Sequence, residues 1–240
     1  MTYCVAMNLE QGLLFGGDTR TNAGVDHIST FRKLYTFSND KTHALAILCS
    51  GNLGTSQALI ELLRKEIRAN ESNLLNHTSL FDCAKHVGKR LREIIHGYSE
   101  EDYDKKVDFS GSLLLGGQIK GEAPRLFFVY PQGNFIESTR ETPYFQIGEH
   151  KYGKPILERT LEYTTPLNIA LSSMVVSLDS TIKSNLSVGL PMDVLIYEKD
   201  SFNLDRYRRF NEYDQEFLAA RKYWLDGLRR LIEEFPELKV

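Results

Sequence analysis

The sequence predicts an α+β fold, a four-layer α-β-β-α sandwich of two antiparallel sheets flanked by helices. Three observations lead there. Strand-like segments arrive in pairs joined by short turns, which makes them hairpins and so antiparallel neighbours. Amphipathic helices arrive in pairs between the strand groups and need an apolar surface to cover. Of the 240 residues, 42% are hydrophobic and 25% charged, enough to fill a core within one domain spanning 1–240. Two sheets stacked face to face with helices outside satisfy all three.

The elements follow in order. "TYCVAMNL" alternates loosely, "EQG" turns, and "LLFGGDT" resumes the extended pattern, which gives a hairpin over residues 2–19. "RKLYTF" and "ALAILCSG" form a second pair across "SNDKT". A helix then runs from a Thr55 cap to about Ala69, with Ala58, Leu59, Leu62, Leu63 and Ile67 on one side. Another starts after Ser79, with Asp82 in the capping-box position and Ala84, Val87, Leu91, Ile94 and Ile95 along its apolar stripe. The charged connector "SEEDYDKK" leads to three strands, "FSGSLLLGGQI", "RLFFVYP" and "NFIES", joined by the turns "KGEAP" and "PQGN". Helices over Gly153–Tyr163 and Pro166–Ser184 precede a late hairpin of "MDVLIYE" and "DRYRRF". A last amphipathic helix spans Asp214–Phe235, with Phe217, Trp224, Leu228 and Leu231 toward the core; it packs on the sandwich or on a neighbouring subunit.

Composition removes several functional classes. The net charge is −3 and no long basic run occurs, which argues against a nucleic-acid groove. The apolar stretches "HALAILC" and "LFFVY" are far too short to span a membrane, and no secretory leader precedes the first strand. Cys4, Cys49 and Cys83 fit neither a disulfide framework nor a zinc site, so a reducing cytoplasm is expected. Five histidines, His27, His43, His77, His86 and His96, lack metal-ligand spacing, and neither metal nor organic cofactor is expected. The acidic run Glu100–Asp104 reads as a solvated loop.

The start of the chain carries the chemistry. Thr2 is small enough for Met1 to be trimmed, which would leave a threonine with a free α-amine at the head of a strand. A threonine hydroxyl needs a base, and that amine, with an ordinary pKa of about 7.7–8.0, is one within reach of its own Oγ. A cationic lysine nearby would hold the amine's pKa down and favour the developing alkoxide. A carboxylate would anchor the lysine, and a backbone N–H would receive the oxyanion. The candidates are Thr2 as nucleophile, Asp18 in "FGGDTRT" as anchor, Lys33 in "STFRKLYTF" as cation and Gly51 in "AILCSGNLG" as oxyanion donor. His150, in the polar turn "GEHKYG", is either a hydrogen-bond partner of the Thr2 amine or simply exposed.

The stretch "TYCVAMNLEQGLLFGGDTRTNAGVDHISTFRKLYTF", followed by "LCSGNLGTSQALIELL", resembles the β subunits of the proteasome, which are N-terminal-nucleophile hydrolases. Within that family "DTRTNAG…STFRKLY", "IGEHKYGKPILER" and "SNLSVGLPMDVLIY" resemble Anbu, a subgroup of bacterial homologues also called the ancestral β subunit. The resemblance covers essentially the whole chain. It implies the same sandwich, a bacterial cytoplasmic protein, and self-assembly into large open-ring or lock-washer homo-oligomers acting on peptide or amide substrates. By motif match it implies Thr2 as nucleophile, Asp18 and Lys33 as its charged partners, and Gly51 as oxyanion donor. Two supporting elements depart from the family pattern. Where proteasome subunits have a serine in a Gly-Ser-Gly-Gly-like turn, this chain has Glu149 and His150. The later Asp-x-x-Ser-Gly-Gly element becomes "SNLSVGL", which sets Ser184 at the aspartate and retains Ser187, with Asp179 somewhat earlier. A threonine-type peptidase or amidohydrolase is therefore expected. Acyl transfer to an amine, and an assembly subunit of weak activity, stand as alternatives. An ATPase partner is left open.

Overall fold

The computed structural model describes residues 2–22, 28–39, 41–70, 72–101 and 106–238. The expectations that fall on Met1, on His27 and on the middle of the charged connector lie outside the described residues. Strand β1 (Tyr3–Leu9) turns into β2 (Gly12–Asp18), the hairpin expected from the first residues. After a small ladder of β3 (Arg20–Asn22) and β4 (Ile28–Thr30), β5 (Leu34–Ser38) pairs with β6 (His43–Gly51). Helices α1 (Leu53–Arg68) and α2 (Leu80–Glu101) follow, then β7 (Gly111–Ile119), β8 (Arg125–Val129), β9 (Phe135–Glu137) and β10 (Tyr144–Gly148). The chain continues through α3 (Lys154–Thr160), α4 (Leu167–Ser184), β11 (Met192–Glu198), β12 (Tyr207–Phe210) and α5 (Gln215–Glu233).

Two five-stranded antiparallel sheets result, in the orders β10-β1-β2-β11-β12 and β5-β6-β7-β8-β9. Because successive strand residues face opposite sides, β1 feeds two separate cores. Cys4 and Ala6 join Phe15, Leu48, Leu114 and Leu195 between the sheets. Val5 and Met7 pack with Leu157, Met174 and Leu178 of the α3–α4 layer. On the far side Ile47, Leu115 and Phe127 meet Leu59, Leu63, Val87 and Leu91 of α1 and α2. Three apolar layers between four structural ones make the α-β-β-α sandwich.

Local chemistry corrects several boundaries. Asn52, not Thr55, caps α1: its side chain accepts the Thr55 N–H, while the buried Thr55 hydroxyl donates to the Phe109 carbonyl at 2.9 Å. At α2 the expected cap holds, with Ser79 Oγ accepting the Asp82 N–H at 3.1 Å. That helix then continues to Glu101, into the segment read as a connector. Strand β10 and the β3–β4 ladder were not anticipated. The apolar face of α5 is a further correction. Phe217 is buried, but Leu228 and Leu231 are exposed, because only the first turns of the helix reach α4.

Candidate active site

Pairing of β1 with β2 places Thr2 and Asp18 at one edge of the first sheet, and three groups converge on the Asp18 carboxylate. Oδ1 accepts the Tyr3 N–H at 3.0 Å and Lys33 Nζ at 2.7 Å, and Oδ2 accepts the Gly189 N–H at 3.3 Å. Lys33 Nζ also donates to the Arg20 carbonyl at 2.6 Å. The Lys33 backbone is fixed in turn, since the Cys49 N–H donates to its carbonyl at 3.0 Å and so joins it to β6. Asp18 is fully buried and Lys33 nearly so. Burial pushes the Asp18 carboxyl up from its ordinary range, opposed by the Lys33 ammonium and the N–H groups of Tyr3 and Gly189. Removing either partner of this buried pair would leave an uncompensated charge in the interior.

Tyr3 anchors the start of β1 from the opposite face. Its phenol lies 2.6 Å from Ser177 Oγ and accepts Gln146 Nε2 at 2.6 Å, and burial pushes its pKa up to about 12. At the end of β6, Gly51 adopts φ +103, and a Cβ there would lie 2.5 Å from the Ser110 carbonyl oxygen, so the turn into α1 requires glycine. Thr2, Lys33, Ser50, Gly51, Ser56 and Gly148 line one cavity of about 330 Å³. Cys49 also borders it, but burial pushes that thiol up to about 12 and keeps it from competing as a thiolate. A cavity of about 440 Å³ between α4 and α5, bordered by Val175, Phe217 and Trp224, contains none of the candidate nucleophile, cation or oxyanion residues.

On its other side Thr2 meets the turn after β10. The Glu149 N–H donates to the Thr2 carbonyl at 2.6 Å. Gly148 has φ +82, and a Cβ on it would lie 1.9 Å from that same carbonyl oxygen. The Glu149 carboxylate accepts Asn185 Nδ2 at 3.1 Å and the Lys151 N–H at 3.1 Å. Asn185 Oδ1 accepts the Ser187 N–H at 2.9 Å, and Arg20 Nη1 donates to the Leu186 carbonyl at 3.0 Å. The loop after α4 thus links Glu149 to Asp18 through Asn185 and Gly189.

Thr2, Lys33 and Gly51 therefore line one cavity, with Asp18 directly behind Lys33. Ser187 is half-buried in the loop after α4, and Ser184 is exposed on the last residue of that helix. His150 is exposed and borders a different cavity, of about 610 Å³, with Tyr144, Lys154 and Glu158. Asp179 accepts Arg221 Nε at 2.6 Å across the α4–α5 contact. Sequence reasoning missed Asn185 and the N–H donors of Tyr3 and Gly189, since backbone donors leave no signature in residue identity. Among the described residues, no group of three or more His, Cys, Asp or Glu side chains is arranged to hold a metal ion.

Comparison with known proteins gives the family. A sequence model of the family described as "Proteasome subunit" matches residues 2–196. The chain belongs to the proteasome subunit family. Within that family it is similar to Anbu (ancestral beta-subunit) from Yersinia bercovieri, at 50% identity and a TM-score of 0.94, over 100% of both chains. It is similar also to the Anbu complex of Pseudomonas aeruginosa, solved as a helical assembly, at 48% identity and a TM-score of 0.95 over 99% and 98% of the two chains. A proteasome subunit beta from Haloferax volcanii is 22% identical over 210 residues, covering 87% of this chain and 78% of that one. The Anbu-type resemblance read from the sequence holds, and so does the proteasome-type sandwich.

Proposed function

We propose that this proteasome-family chain is a threonine-type amidohydrolase in which Thr2, freed by removal of Met1, is the nucleophile. The observation that carries the reading is the 2.7 Å contact of Lys33 Nζ with a fully buried Asp18 that also holds the N–H of Tyr3. The pair stands at the start of β1, next to the residue whose amine Met1 removal would expose.

In the proposed reaction the Thr2 amine takes the Oγ proton as Oγ attacks the amide carbonyl carbon. The oxyanion is received by the Gly51 N–H, and the Lys33 ammonium favours the alkoxide that develops. Collapse breaks the C–N bond, and the proton held by the amine passes to the departing nitrogen. Water, deprotonated by the same amine, then adds to the ester, releasing a carboxylic acid and restoring Thr2. Every group in this cycle comes from the chain itself. An amine acceptor in place of water would give acyl transfer by the same intermediate.

Self-assembly is part of the reading. Tyr223, Leu231, Ile232 and Phe235 of the α5 region are exposed apolar side chains that a second copy could cover. No helix among the described residues is long and apolar enough to cross a membrane. The test is intact mass spectrometry before and after a peptide epoxyketone. One adduct located on Thr2 and absent from Thr2→Ala is expected; an unlabelled chain with a free Thr2 amine would overturn the reading.

A further inference from the structure

One acidic residue that is bonded to Thr2 through its backbone N–H is not used by the proposed reaction. Glu149 lies in the turn that follows β10, and β10 pairs with β1 in the register Tyr3↔Gly148. The 2.6 Å bond from the Glu149 N–H to the Thr2 carbonyl carries that ladder one step further and sets Glu149 opposite Thr2. Strand β10 itself ends at Gly148, so this single backbone bond is what holds Glu149 next to Thr2.

The Glu149 carboxylate is oriented but not neutralised. It is half-buried and accepts Asn185 Nδ2 at 3.1 Å and the Lys151 N–H at 3.1 Å. Asn185 is itself held by the Ser187 N–H at 2.9 Å. Among the described residues no Lys, Arg or His side chain forms an ion pair with Glu149. A carboxylate has about four acceptor positions, so at least one remains for a further donor.

The other charged groups near the amine come from β2, β3, the segment before β5 and the turn itself. Asp18 of β2 and Lys33 are paired with each other, and Arg20 of β3 is bonded to the Leu186 carbonyl. Arg32 lines the Thr2 cavity together with Lys33, its guanidinium 5.4 Å from the centroid of the Tyr207 ring. From the turn itself His150 borders another cavity and the Lys151 side chain is exposed, as is Lys183 near the end of α4. The cation missing from Glu149 is the one that Met1 removal would create, the α-ammonium of Thr2.

Resting on the reading of Thr2 as nucleophile, we propose that Glu149 is the charge partner of the Thr2 α-amine, with Asn185 fixing its carboxylate. The two flanks then act in opposite senses. Lys33 favours the neutral amine that can accept the Oγ proton, and Glu149 favours the ammonium formed when it does. Glu149 is in this sense a positioning residue for the base.

The test is the rate of acylation by a β-lactone, read by intact mass across roughly pH 5–9, where an N-terminal amine titrates. In the wild-type chain the rate rises with pH as the amine loses its proton. Glu149→Gln moves that midpoint down by roughly one pH unit, because the ammonium loses its counter-charge. Glu149→Asp lies between the two, and His150→Ala stays with the wild type. A labelled wild type whose midpoint is unchanged in Glu149→Gln overturns this proposal alone. A wild type that takes no label overturns the nucleophile reading, and this one with it. Should Glu149→Gln not fold, Asn185→Ala keeps the carboxylate but frees it, and a smaller shift in the same direction is expected. An unmoved midpoint there overturns the proposal equally.

Discussion

Two carboxylates near the start of β1 are held in very different ways. Asp18 is fully buried and is met by the Lys33 ammonium and two backbone N–H groups, at 2.7, 3.0 and 3.3 Å. Glu149 is half-buried, in a turn, and among the described residues Asn185 is its one side-chain partner. The first is locked by sheet pairing and by the cost of stranding a charge in the interior. The second can be exchanged without disturbing any of the three apolar layers. On the proposed reading, the Asp18 flank decides whether the chemistry can run and the Glu149 flank decides at what pH.

Substitutions on the two flanks should differ accordingly. The largest effect is expected from Asp18→Asn, which leaves the Lys33 ammonium buried without its anion. Urea unfolding should show a loss of about 3–5 kcal/mol, and labelling of Thr2 should be abolished. An unchanged unfolding midpoint would mean that the ion pair does not fix that flank. Gly148→Ala comes next. At φ +82, with its Cβ only 1.9 Å from the Thr2 carbonyl oxygen, it should cost about 1–3 kcal/mol in the same measurement. The shift of β10 away from Thr2 should also slow labelling. Wild-type stability and labelling in Gly148→Ala would show that the close approach of β10 to Thr2 is dispensable. Glu149→Gln is the smallest of the three in stability, since it removes a charge from a half-buried turn. Its signature is the displaced pH midpoint rather than a lost fold.

Much of this arrangement was legible in the residues. The hairpin over residues 2–19, the β5–β6 pair and the capping box at Ser79 rest on local periodicity and turn chemistry, which act within a few residues. Thr2, Asp18, Lys33 and Gly51 could be singled out because each residue type has a distinct chemical use. Strand β10 was not legible. "YFQIG" is five residues long, follows the turn around Pro143, and is interrupted by the polar Gln146, whose amide is spent on the Tyr3 phenol. The link from Glu149 to Asn185 joins residues 36 apart, and no local pattern reports such a pairing. The α5 helix misled for another reason. Helical spacing shows that Leu228 and Leu231 share an apolar face, but not whether this chain covers that face.

The central claim is that the amine of Thr2 serves as base for its own hydroxyl. The most direct test compares two forms of the same chain, one ending in free Thr2 and one retaining Met1, each treated with the same β-lactone and weighed intact. A single adduct on Thr2 in the first form and none in the second is the expected result. Equal labelling of both forms would contradict the claim, because a base other than the Thr2 amine would then be activating the hydroxyl.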